Sequence, residues 1–243
     1  MVYSSKQNST IKKIASLKEK KFRQKYGLYI SEGIKPVNDA ISLNKPIKYI
    51  VATQEILDKI LPNNLETLIV TNEVFSYITT EVTPQGVLCV IEIGENQLCQ
   101  PSGNAVLLDG VQDPGNIGTI IRSCLAFGYK DIYLVNCCDA YSPKVVRSSM
   151  SAIYSVNIYK GSLEEVLSTL KGYKIIVADM VGESLHGFKI EDKYVLCMGS
   201  EGNGISNELY SKKDRVVSIP MNELSESLNV SVATSIIMYE LSK

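Results

Sequence analysis

The 243-residue chain has a single histidine, His186, and no C-x-x-C pair among its cysteines, Cys89, Cys99, Cys124, Cys137, Cys138 and Cys197. One imidazole without suitably spaced thiolates does not make a zinc centre, so no metal is expected. His186 precedes Gly187 in a loop-like stretch. A surface position there removes the usual player from histidine acid–base or triad chemistry. The cysteines read as reduced, mostly buried thiols. No apolar run approaches the roughly 20 residues that span a bilayer. The opening residues Met1 to Asn8 hold no apolar h-region, so a cytoplasmic protein without membrane association is expected. Neither G-x-G-x-x-G nor G-x-x-x-x-G-K-[ST] occurs, which excludes a dinucleotide fingerprint and a Walker phosphate loop.

What is present is an ordinary globular composition, 45% hydrophobic and 21% charged, with length for one large domain or two small ones. The net charge of −1 is unevenly spread. Residues 1–36 hold Lys6, Lys12, Lys13, Lys18, Lys20, Lys21, Arg23, Lys25 and Lys35 against only Glu19 and Glu32. Such a face can neutralise phosphates, and a solvated helix surface accounts for it equally well.

Residues 10–24 place Ile11, Ile14, Ala15 and the stem of Lys18 at helical spacing, which predicts one basic amphipathic helix. Short alternating units follow. Strands are predicted at Leu28–Ile30, Ile47–Val51, Leu68–Val70 and Val87–Ile93, and helices at Pro36–Leu43, Gln54–Leu61 and Asn72–Ile78. The apolar-poor stretch 94–104, with Pro101 and Gly103, reads as a linker. A second α/β run has strands at Ala105–Leu108, Asp131–Val135, Lys174–Ala178, Val195–Met198 and Val216–Ile219, with helices at Asn116–Phe127 and Asn229–Leu241. Its apolar runs suit buried parallel strands.

Three loops at predicted strand ends carry the chemistry. The first, DPGNIGTIIRS from Asp113, can present backbone N–H groups and a helix N-terminus to an anion. Asn116 sits near the cap and Arg122 nearly two turns in; on spacing alone a cap asparagine and a salt-bridged arginine are the simpler account. The second, MGSEGNGIS from Met198, has three glycines that admit close backbone approach and one carboxylate, Glu201. The third, IPMNELSESLNVSVA from Ile219, ends in small polar residues, of which Ser227 or Asn229 could cap the final helix.

Together these segments resemble the three motifs of the SPOUT superfamily, in its TrmH-type branch of RNA ribose 2′-O-methyltransferases. The likeness covers residues ~105–240 in order and spacing. Residues 10–92 also resemble that family's substrate-binding domain, through the basic helix, Arg23, Glu32-Gly33 and TPQGVLCV. The nearest likeness is to bacterial enzymes that methylate a guanosine ribose in 23S rRNA. A tRNA substrate and an RNA-binding relative without catalysis are the alternatives. The resemblance implies an α/β fold: a trefoil-knotted C-terminal domain with a parallel sheet at 105–243, and a small N-terminal α/β substrate-binding domain at 1–93. It implies a homodimer through the C-terminal domain and S-adenosylmethionine as methyl donor. Gly199, Ile219 and Leu228 match positions whose backbone holds the donor, and Met198, Ser200, Met221 and Ala233 are expected to line its pocket. Asn116, Glu201, Ser227 and Asn229 match polar residues that organise the site, and Arg122 matches the catalytic arginine. Lys12, Lys13, Lys20, Lys21, Arg23 and Glu32 are the RNA-contact candidates. Three positions depart from the family pattern: Cys124 stands where alanine is usual, and Ser151 and Asn157 where glycine and proline are.

Arg122 as the implied base is chemically awkward, because a guanidinium with pKa above ~12 rarely gives up its proton. Either it is deprotonated transiently when RNA phosphate and neighbours reorganise, or it clamps a phosphate and the proton leaves by another route.

Overall fold

The computed structural model describes residues 2–94 and 97–243. The chain runs β1 (Val2–Tyr3), α1 (Ser9–Ser16), α2 (Lys20–Tyr26), β2 (Leu28–Glu32), α3 (Ile34–Ser42), β3 (Ile47–Thr53), a 3₁₀ helix (Gln54–Lys59), β4 (Thr67–Val70), α4 (Asn72–Ile78) and β5 (Val87–Glu92). It continues through β6 (Ala105–Asp109), α5 (Pro114–Ala126), β7 (Asp131–Val135), α6 (Pro143–Ser148), a 3₁₀ turn (Ala152–Tyr154), β8 (Asn157–Lys160) and α7 (Leu163–Thr169). The last elements are β9 (Lys174–Ser184), β10 (Tyr194–Gly199), α8 (Asn207–Tyr210), β11 (Arg215–Ser218) and α9 (Val230–Leu241). Contacts divide the chain into two compact units, Met1–Glu95 with Tyr141–Tyr154, and Asn96–Ala140 with Ser155–Lys243.

The first unit is a mixed five-stranded sheet in the order β1-β4-β3-β5-β2. Its core joins Ile11, Ile14 and Leu17 of the N-terminal helical segment to Leu28, Val51, Leu88 and Phe75. The predicted single basic helix is broken in two. Leu17 is buried, Glu19 is extended, and Arg23 Nη1 donates to the carbonyls of Leu17 and Lys18, each at 2.7 Å. These bonds satisfy the carbonyls left open at the end of α1. The expected helix at Gln54–Leu61 is a 3₁₀ helix ending at Lys59; Ile60 is already extended, and Pro62 disfavours helical backbone at Leu61.

Tyr141–Tyr154 lies in the expected C-terminal domain, yet its contacts place it in the first unit. Helix α6 packs on β2, the Tyr141 ring lies tilted against that of Tyr29 with centroids 5.0 Å apart, and Tyr154 OH donates to Ser31 Oγ at 2.6 Å. These are large side chains satisfied on one face of β2, and they outweigh proximity in sequence.

The second unit is a six-stranded sheet in the order β11-β9-β10-β6-β7-β8, with every pair parallel. Its central strands β6, β7 and β10 are buried on both faces, as their continuous apolar runs require. Strand β9 runs well past the predicted Ala178, because its outer half pairs with β11 after a register shift at Val216–Val217. Residues 95 and 96 of the expected linker lie outside the described residues. From residue 97 onward the stretch is fastened down: Tyr133 OH donates to Cys99 O at 2.5 Å, Tyr173 OH to Pro101 O at 2.7 Å, and Ser102 N to Asp131 Oδ2 at 2.9 Å. Asn157, where the family favours proline, uses the N–H that proline would lack. It donates to Lys130 O at 2.7 Å and starts β8.

Candidate active site

Strands β6 and β10 are neighbours with Asp109 opposite Gly199, so the loops that follow them leave the sheet side by side. Ligands of open parallel sheets bind at such carboxyl ends. Buried Asp109 holds the second loop by accepting from Ser206 N at 2.9 Å. Gly110 turns the first loop with φ +75, and Asp113 caps α5 by accepting from Asn116 N at 3.0 Å. Asn229 caps α9, accepting from Ser231 N at 2.9 Å. The simple capping role thus holds for Asn229, while at the first loop it falls to Asp113 rather than Asn116.

The caps also do more. Asn116 Nδ2 donates to Glu201, and Asn229 Nδ2 donates to Asn116 Oδ1 at 3.0 Å. One amide therefore ties all three motif loops together. Gly199 is needed for a different reason. A Cβ there would collide with the backbone of Gly204 and Ile205, across the Ser200–Gly204 bridge.

Between the second and third loops and α9 lies a cavity of about 380 Å³. Met198, Gly199, Ser200, Ile219, Met221, Leu228 and Ala233, the residues expected at the donor pocket, all line it. Glu201, Ser227 and Asn229 stand on its edge. Sequence reasoning missed Ala178, Asp179 and Met180, which follow the point where β9 stops pairing with β10, although the end of the predicted strand is where such residues collect. The walls carry two carboxylates, Asp179 and Glu201, and no Lys, Arg or His among the described residues. An apolar slot with acidic edges suits a cationic sulfonium attached to a nucleoside. It is a poor setting for a phosphate-bearing cofactor. The residues present therefore fit S-adenosylmethionine.

Arg122 is not brought into this cavity. It is exposed on α5, without a hydrogen-bond or ion-pair partner among the described residues. In the first unit Lys12, Lys20 and Lys21 are exposed; Lys13 Nζ lies 4.6 Å from the Tyr26 ring centre and Lys21 Nζ 4.7 Å from that of Phe22. Two RNA-contact candidates have other work. Arg23 is buried and engaged with the end of α1. Glu32 accepts from Thr79 Oγ1 and from Thr80 N at 2.8 Å, fastening β2 to the segment after α4. Arg23 is thereby a structural group rather than a phosphate contact, while Glu32, though engaged, still lines a cavity of the first unit. His186 is exposed in a loop, as expected.

A parallel α/β sheet whose strand ends carry one apolar, acid-edged cavity is the frame of a small-molecule-dependent α/β enzyme. The chain belongs to the SpoU rRNA methylase family, whose model matches residues 103–239. The model of the MRM3-like substrate binding domain matches residues 8–89. The chain is 31% identical to the 23S rRNA (guanosine-2′-O)-methyltransferase RlmP of Bacillus subtilis, over 98% of this chain and 97% of that protein. It superimposes with a TM-score of 0.88 on an AdoMet-bound rRNA methyltransferase from Sinorhizobium meliloti, at 30% identity over 99% of this chain and 96% of that one. The SpoU methyltransferase AviRb of Streptomyces viridochromogenes gives a TM-score of 0.85 at 25% identity, over 97% and 96% of the two chains.

Proposed function

We propose that this RNA ribose 2′-O-methyltransferase takes its methyl group from S-adenosylmethionine and modifies a guanosine of 23S rRNA. The observation that carries the reading is the cavity whose walls hold all the donor residues expected from the motifs. Full-length similarity to a 23S rRNA guanosine methyltransferase favours that RNA over tRNA.

When bound, S-adenosylmethionine supplies an activated methyl group on a sulfonium. The backbone at Gly199, Ile219 and Leu228 would hold it, with Met198, Met221 and Ala233 against its apolar parts. Glu201 and Asn229, fixed through Asn116, orient the ribose side of the site. Alignment of this kind can lower a barrier by roughly 7–11 kcal/mol. Arg122 grips the phosphate beside the reacting ribose or accepts its proton.

The protein works as a homodimer through its C-terminal domain. Helix α9 leaves Val232, Ile236 and Tyr239 exposed at i, i+4 and i+7, beside exposed Leu125 of α5. An apolar stripe of that kind suits a second copy. Arg122 lies on the same helix as Leu125, so a partner copy gives it a route to a site it does not reach within one chain. The trefoil knot, the division into an RNA-holding half at 1–93 and a catalytic half at 105–243, and cytoplasmic location belong to the same reading. Lys12, Lys13, Lys20 and Lys21 hold RNA through its phosphates.

Mapping 2′-O-methyl sites in total RNA from cells with and without the gene tests the substrate. Loss of one 23S guanosine mark is expected; loss of a tRNA mark instead would replace the rRNA assignment. Purified Arg122→Ala should lose about 10²–10⁴-fold in single-turnover methyl transfer, and near-normal turnover would remove Arg122 from the mechanism.

A further inference from the structure

A second cavity, of about 280 Å³, lies wholly within the first unit. It opens where β2 ends and α3 begins, against α6 and the turn that follows it. Ile30, Pro36, Val146 and Met150 give it apolar walls. Its charged groups are already engaged. Lys35 is paired with Asp39 at 2.7 Å, Arg147 with Glu81, and Glu32 is saturated by Thr79 and Thr80. With carboxylates in the wall and the cations engaged, a bare phosphate is a poor occupant.

At the exposed mouth stands an amide without a protein partner for its donor among the described residues. Gln85 Oε1 accepts from Ile34 N at 2.8 Å, which fixes the side chain, while its Nε2 donor has no partner among the described residues. Gly33, at φ +114, allows this approach, since a Cβ there would stand 3.2 Å from Gln85 Oε1 and 3.3 Å from Pro36 Cδ. On the opposite side Met150 and Ser151 are consecutive non-glycine residues in the left-handed region, at φ +50 and +69. Backbone strain of this kind collects where a ligand is clamped. It sits at Ser151, where the family favours glycine. The turn brings Met150, a soft and adaptable side chain, to the cavity rim with 55% of its surface exposed.

Apolar faces, engaged cations and one fixed in-plane donor describe a site for a flat heterocycle without negative charge. The volume falls just below the roughly 300–1,000 Å³ typical of ligand pockets, which suits one base rather than a dinucleotide. Single-stranded RNA is read by splaying such bases out and bonding their edges. We propose that this cavity captures one unstacked nucleobase of the RNA substrate, with Gln85 donating to a carbonyl or ring-nitrogen acceptor on it. The proposal rests on the reading of the protein as an RNA methyltransferase and supplies it with a sequence-reading element.

The test uses the full chain with its donor pocket filled by S-adenosylhomocysteine. Adenosine, guanosine, cytidine and uridine are offered in turn, and contact is read by saturation-transfer NMR. The expected result is selective binding of one nucleoside. It should weaken about tenfold in Gln85→Leu, the scale of one lost hydrogen bond, and be lost in Val146→Trp, which fills the cavity. Heats of S-adenosylmethionine binding should stay unchanged in both, showing intact folding of the donor site. In methylation assays Gln85→Leu should raise KM for RNA about tenfold while kcat holds, the signature of uniform binding loss. Absence of nucleoside binding, or equal binding by wild type and Gln85→Leu, overturns the proposal. Gln85 lies at the cavity edge, so this arm reads even where Val146→Trp fails to fold. Failure of the methyltransferase reading would appear separately, as wild-type protein that neither binds S-adenosylmethionine nor methylates any RNA.

Discussion

Asn116 and Asn229 are joined by a 3.0 Å hydrogen bond although 113 residues separate them, and the amide of Asn116 that accepts this bond also donates to Glu201. Three loops from three strands therefore meet at one side chain. Asn116→Ala should cut both links. Hydrogen bonds to charged groups contribute roughly 1.5–3 kcal/mol, so methyl transfer should slow about 10- to 100-fold. Donor affinity, read by titration calorimetry, should change much less, because Asn116 does not line the cavity. Asn116→Asp should be worse at neutral pH, since it sets a second carboxylate against Glu201. Equal activity of wild type and Asn116→Ala would dissolve this connecting role.

Gly199 gives a steeper prediction. Alanine there must push the Gly204–Ile205 backbone away and open the Ser200–Gly204 bridge. Overpacking of this kind costs about 1–3 kcal/mol, and the shift falls on the pocket wall itself. Gly199→Ala should lose S-adenosylmethionine binding by tenfold or more and melt at lower temperature. The cavity would need another description if binding survived.

The residues that line the cavity were named through the resemblance of three loops to family motifs; residue chemistry alone supplied only glycine for close approach and Asn229 as a cap. Met198 to Ser200 follow directly from the strand that precedes them. Asp179 was legible only as the residue after the predicted strand, since that β9 continues past it to Ser184 depends on pairing with β11. Arg23 read as a phosphate contact because it sits in a basic run, and only tertiary structure shows it folded back onto Leu17 and Lys18. The transfer of Tyr141–Tyr154 to the first unit depends on tyrosine contacts made with β2, which no periodicity encodes. Helix α7 was missed for a different reason. Its capping box, Ser162 with Glu165, stands in the sequence and could have been found.

Asp214 anchors the start of β11 to β9. Its carboxylate accepts from Ile175 N at 2.9 Å and from Lys174 Nζ at 3.2 Å, and the Ile175 N–H, then Lys174, hold its pKa below the ordinary value. A carboxyl lowered in the folded state contributes stability above its unfolded pKa of about 3.9. That contribution disappears as pH falls through the lower, folded pKa. Asp214→Asn should therefore be less stable than wild type in urea at neutral pH, and the two curves should converge in acid. A gap that widened on acidification would reverse the sign and exclude this origin.

The six thiols differ in burial, with Cys138 intermediate. Cys99 is exposed, whereas Cys89, Cys124, Cys137 and Cys197 are buried. Burial pushes Cys89 and Cys137 up to about 12 and the other two higher. Only the thiolate attacks an alkylating agent. At about pH 8 an ordinary thiol is roughly one-quarter ionised, while one at 12 is ionised about one part in ten thousand. Cys137 is further held by donating to Leu108 O at 3.2 Å and Val135 O at 3.3 Å, on the strands that carry the first loop. Iodoacetamide followed by peptide mass spectrometry should therefore label Cys99 first in native protein. Cys89, Cys124, Cys137 and Cys197 should react only after urea opens both cores. Labelling of Cys137 at the rate of Cys99 would mean that β6 and β7 open locally, and the frame of the donor site would then be a mobile one.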